Sequence, residues 1–279
     1  MCEPQIHLDG SAKRTVISGF PVCLVVVAVL SLGPSAVMSQ DTPSPTSKSI
    51  IERAWELYEQ ADSVQACEFI ESTGDSLTAA RAYSDMVRWL YEKKQLPAMI
   101  AFGRAGVHFS LSEARRLKAS DEAMSLQLAG VAKTIAYNVS SNLWPGWNEE
   151  GIEPTSSDLA AGLDLARVNL RLGRELKRGP EPMGNALWLV GAHELAAGRF
   201  GMAQVHFDEA AVSFAEAAKP DFVLMAQGYA ALASKAAQVA DADQRLRDVL
   251  DHLRKIGTDD ASFFAEQIET AERVLLKSR

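Results

Sequence analysis

A small residue, a large apolar one four positions on and a small or β-branched one three further recur in this chain. The copies are Ala98, Phe102 and Ala105; Ala166, Leu170 and Gly173; Ala203, Phe207 and Ala210; and Ala242, Leu246 and Val249. Their starts lie 68, 37 and 39 residues apart, about two units and then one unit each. Steps of four and three put all three side chains on one face of a helix. Self-similarity at a fixed period of this size marks a helical repeat array, in which each unit buries its apolar face only against its neighbours. The third copy is the best formed, because Gly198, Arg199 and Phe200 supply a tight turn just before it.

The rest of the chain is read against that period. Polar, proline-bearing residues 40–48 form a linker, and no alternating β-type run follows. A first helix is expected over residues 49–70, stopped by Thr73, Gly74 and Asp75. Helices follow over about 76–94 and from Pro97, and Ser120 is expected to cap the next, which runs to Leu143. Residues 144–156 interrupt the array with two prolines and two glycines, and this insertion, with longer flanking helices, explains the doubled first interval. Thr155 and Asp158 are placed as a capping box for the helix beyond. Helix pairs over about 181–218 and 221–256 come next, and a final helix over 259–277 has its apolar residues largely on one side, as a terminal cap requires.

The N-terminus reads as an export signal. Lys13 and Arg14 precede an apolar run from Val16 to Leu32, and Val37-Met38-Ser39 fits a small-x-small cleavage site. Residues 1–39 are therefore expected to be a signal peptide, which places the mature chain in a periplasm or outside the cell. Left uncleaved, residues 16–32 form a membrane anchor instead. Removal of the signal leaves Cys67 as the single cysteine, so packing rather than a disulfide must hold the fold. The net charge of −8 falls wholly after residue 39 and leaves no basic surface for nucleic acid.

Gly191, Gly198, Phe200, Ala203, Phe207 and Ala210 together resemble the tetratricopeptide repeat, with Pro220 closing the unit a little late. The resemblance extends over about residues 76–256 and weakens away from 181–220. It implies an all-α, right-handed α-solenoid of about four helix pairs, with an extra N-terminal helix and a C-terminal capping helix, over residues 49–279. It also implies a concave groove that receives a polypeptide, lined here by Tyr83, Asn185 and Trp188 among others. The lysine and asparagine clamp for a C-terminal carboxylate is not supplied at these positions. An alternative is that these aromatics pack on one another or on the first helix.

Trp144 and Trp147 in the insertion are a second candidate surface, since loops that interrupt a repeat often carry function; the other reading is that they cover helix ends. Catalytic signals are weak. His193-Glu194 lacks the second histidine of a zinc-protease helix, and no phosphate loop or nucleophile elbow is present. No catalytic residue, metal or cofactor is implied. The leading function is an exported, non-catalytic scaffold that binds a protein or peptide. An envelope hydrolase using Glu149 or Glu150, and a membrane-tethered spacer, are the alternatives.

Overall fold

The computed structural model describes residues 45–276, with side chains from Lys48 onward. The expected signal peptide, the apolar run 16–32 and the first part of the linker lie outside the described residues. Among the described residues there are eleven α-helices, one 3₁₀ turn and no strand. The helices are α1 (Pro45–Gln60), α2 (Ser63–Glu71), α3 (Ser76–Glu92), α4 (Leu96–Leu117), α5 (Glu122–Asn142), α6 (Ser156–Glu175), α7 (Pro180–Ala196), α8 (Phe200–Glu216), α9 (Pro220–Ala236), α10 (Ala242–Ile256) and α11 (Asp259–Leu276). The 3₁₀ turn is Pro145–Trp147. No helix among the described residues is long and apolar enough to cross a membrane.

Three boundaries differ from the sequence reading, each for a local reason. The first helix starts at Pro45, inside the expected linker, since proline is well suited to a first helical turn. The expected single helix over 49–70 is two helices, because Asp62 takes an extended conformation and accepts the Gln65 N–H at 2.9 Å, capping a new start. Asp121, not Ser120, caps α5 by accepting the Met124 N–H at 2.9 Å. The capping box before α6 forms as expected: Asp158 N–H donates to the Thr155 hydroxyl, and Thr155 N–H donates to the Asp158 carboxylate.

One turn recurs throughout. After α3, α6, α7, α8 and α9 the chain passes through a left-handed residue, respectively Lys94, Lys177, Gly198, Ala218 and Gln238. In every case the next N–H reaches back five residues: Gln95 to Leu90, Arg178 to Gly173, Arg199 to Glu194, Lys219 to Phe214, and Val239 to Ser234, all at 2.9–3.0 Å. These are Schellman closures, which satisfy the last carbonyls of each helix and reverse the chain. From Lys177 onward they fall every 20 or 21 residues, so two turns make one interval of the sequence repeat.

Only one of the five uses glycine, the residue that reaches positive φ without a Cβ penalty. Ala218 sits there at φ 55°. Ala218→Gly is therefore expected to raise unfolding free energy by about 0.5–1 kcal/mol, read as a higher urea midpoint at unchanged slope; a lower midpoint contradicts the account.

Each helix packs mainly on the next, and several also touch the one after: α1 on α3, α3 on α5, α9 on α11. Small residues let the backbones approach. A Cβ at Gly191 in α7 would lie 2.9 Å from the Phe207 ring in α8, so the ring occupies the space the glycine leaves. Phe207 is fully buried and stacks on Tyr229 of α9 with ring centroids 5.4 Å apart. The insertion does not project from this stack. Its 3₁₀ turn packs against α7 and more extensively against α11, the last helix.

Candidate functional site

The inside of the stack is an aromatic cluster drawn from three places in the chain. Leu143 caps α5, and the backbone then extends at Trp144 so that its indole turns inward. Trp144 stands edge-on to Trp147 at 4.7 Å, to Trp188 of α7 at 5.3 Å and to Tyr229 of α9 at 5.7 Å, centroid to centroid. Edge-to-face packing suits the ring quadrupoles. The indole N–H of Trp144 donates to the Ala192 carbonyl at 3.1 Å, and that of Trp147 to the Ser141 carbonyl at 2.7 Å. Gly146 is required in this turn, because a Cβ there would collide with the Trp144 ring. The Trp188 indole N–H and the Tyr229 hydroxyl have no hydrogen-bond partner, and burial pushes the Tyr229 phenol above its usual range.

The five residues expected to contact a partner, Tyr83, Asn185 and Trp188 in a groove and Trp144 and Trp147 on the insertion, are all buried. Tyr83, Trp144 and Trp188 are 0–3% exposed, and Trp147 and Asn185 are each 7% exposed. Trp144, Trp147 and Trp188 meet one another, Asn185 lies one turn before Trp188 on α7, and Tyr83 is elsewhere, between α2 and α4. There its hydroxyl donates to Glu71 at 2.9 Å and its ring contacts Phe109 at 6.0 Å. Burial, followed by its contacts with Cys67 and Glu71, raises the Tyr83 phenol. Two neighbourhoods bury them: Trp144, Trp147 and Trp188 cover one another, and Tyr83 is covered by α2 and α4.

The loop acids are tethered or solvated. Glu149 accepts a hydrogen bond from the Tyr91 hydroxyl, and the Glu150 carbonyl accepts from Lys94 at 2.5 Å, which pins the loop to the end of α3. The side chains of Glu150 and Glu153 are exposed. His193 is buried and held neutral: burial pulls its pKa down to about 4, against the opposing influence of its contact with the Ser140 carbonyl at 2.9 Å and the charge of Glu194. His206 contacts the Met202 carbonyl on its own helix, so the two histidines serve separate helices. No group of three or more His, Cys, Asp or Glu side chains is arranged to hold a metal among the described residues. Cys67 is half-buried with its thiol raised by burial, the setting of an inert cysteine.

Glu194 is a buried carboxylate held between two arginines. It is 1% exposed, receives Arg167 of α6 at 2.8 Å and is also paired with Arg199. Its backbone carbonyl accepts the Arg199 N–H in the Schellman turn, so one arginine closes the turn twice. Nothing in the spacing of these three residues flags this cluster.

The outer face of α8 is different. Met202, Val205 and Val212 are 49–60% exposed although apolar. They fall in line at helical spacing, with Glu209 and Glu216 on the same stripe. Single exposed apolar residues are ordinary, but three aligned on one helix make a ridge. Scans with protein-family models find no family that matches the chain, and a search of curated proteins finds no relative.

Proposed function

We propose that this chain is an exported, non-catalytic scaffold of tetratricopeptide type, a right-handed α-solenoid that holds a polypeptide partner. The single observation that carries this reading is the exposed ridge of Met202, Val205 and Val212 on α8. The evenly spaced closing turns support the repeat, and the burial of the residues expected to contact a partner favours an exposed surface elsewhere. Glu209 and Glu216 in the same stripe favour an amphipathic partner segment with basic residues beside its apolar ones. Its core contact would be apolar, with the charges at the rim.

The test is a pair of captures from an exported fraction, by the wild type and by the double variant Val205→Asp, Val212→Asp. A stoichiometric protein recovered by the wild type and lost with the variant supports the ridge. Surface changes of this kind are expected to alter stability by no more than about 0.5 kcal/mol each, so the melting temperature should hold. Equal recovery by both proteins overturns the reading.

A further inference from the structure

His193 of α7 sits where three helices meet and is 2% exposed. Gly162 of α6 makes the room for it, since a Cβ there would collide with the imidazole ring. From α5 comes the Ser140 carbonyl, 2.9 Å from the ring Nε2. A carbonyl only accepts, so Nε2 carries the proton and the neutral ring leaves Nδ1 bare. That Nδ1 is buried and has no hydrogen-bond partner among the described residues.

The contact is half of a reciprocal clasp. One residue before His193, the Ala192 carbonyl accepts the Trp144 indole N–H at 3.1 Å. One residue after Ser140, the Ser141 carbonyl accepts the Trp147 indole N–H at 2.7 Å. Through His193, then, α7 donates to the end of α5, and through Trp144 the insertion that follows α5 donates back to α7. Three of the five tryptophans of the chain meet beside this clasp.

A second proton on the ring must go to Nδ1, and no acidic group is placed to receive it there. Glu194 is the next residue on the same helix, so it points to another side, and its two oxygens already meet Arg167 of α6 and Arg199. On α6, Asp158 is engaged in the capping box and Asp164 is exposed. On α5 the charged residue nearest to Ser140 is Lys133, two turns back, and the 3₁₀ turn carries none. On α8, His206 contacts its own Met202 carbonyl, and no charge precedes Asp208. An imidazolium at this position is out of water with one N–H unanswered, which is a costly state.

We propose that His193 is an acid-sensitive latch: protonation at Nδ1 opens the clasp between α5 and α7 and releases the tryptophan insertion. Burial holds the folded ring down to about 4, against the Ser140 contact and the charge of Glu194, while the free ring titrates at 6.5. The open form therefore binds more protons between these values. The closed clasp has its full stability above pH 6.5 and loses it as the pH falls toward 4.

The test follows hydrogen exchange of the Trp144 and Trp147 indole N–H groups by NMR in the full chain, at about pH 7.5 and about pH 4.5. Each rate is divided by that of free tryptophan at the same pH, and buried backbone amides of α4 report opening of the whole fold. In the wild type the opening constant of the indoles is expected to rise on the order of 50- to 100-fold across this interval, with a much smaller rise for α4. In His193→Gln, whose amide N–H takes the place of Nε2–H and cannot be further protonated, the indole rise is expected to vanish. Nitrogen signals of the His193 ring in the wild type give a reading that needs no variant: a neutral ring protonated at Nε2 at pH 7.5, charging only as the indoles open. An equal indole rise in both proteins, an α4 rise as large as that of the indoles, or a ring that charges near pH 6.5 while the indoles stay protected overturns the proposal.

Discussion

Trp144→Ala is expected to lower the unfolding free energy by about 3–5 kcal/mol, the range for truncating a fully buried large aromatic side chain. Trp144 is 1% exposed and touches three other aromatic rings, each of which would lose packing at once. The Ala192 carbonyl would also lose its indole donor, which adds a buried acceptor without that partner. Urea titration followed by circular dichroism measures the change, with Glu150→Ala as the control on the exposed part of the same loop. The control is expected to stay within about 0.5 kcal/mol of the wild type. A loss below about 1 kcal/mol for Trp144→Ala would contradict the core role of the insertion.

The second large effect concerns Glu194. Removing both arginines, as Arg167→Met with Arg199→Met, leaves a carboxylate in the interior with neither of its cations. Stranding a buried charge in this way costs about 3–5 kcal/mol. The arginines are half-exposed, at 55% and 44% of their side chains, so the reverse change is milder: without Glu194 they turn to water. Adding Glu194→Gln to the double variant should therefore recover most of the stability. That recovery separates charge stranding from lost packing of the arginine stems, which the third change cannot restore. If the triple variant is as unstable as the double, the carboxylate is not the cause.

How much of this was legible in advance varies with the kind of signal. Helix period and breakers are local, and the helices from α6 to α11 fall within about three residues of the expected ranges. The closing turns were legible only at Gly198. At Lys94, Lys177, Ala218 and Gln238 the same left-handed geometry is imposed on side chains that do not announce it, so the repeat looked weaker than it is. The break at Asp62 was missed because the apolar spacing runs through it, whereas the cap depends on one side chain and one N–H. The packing of the insertion was hidden for a different reason: the 3₁₀ turn at residues 145–147 meets α11, more than 110 positions on in the chain, and no local pattern reports a contact of that range. The alternative weighed for the groove aromatics, that they pack on other aromatics, describes Trp188, whose ring meets Trp144, Trp147 and Tyr229.

That long-range contact bears on how the protein comes apart. A linear repeat array is held by neighbour-to-neighbour interfaces, so its ends fray and its units open in sequence. Here α11 reaches back to the 3₁₀ turn in the middle of the chain, and the units between them sit inside a closed circuit. Releasing the final helix breaks its contacts with α9, with α10 and with the 3₁₀ turn together. The final helix is therefore expected to detach less readily than the end unit of a linear array, and fraying is expected to begin at α1 and α2 instead.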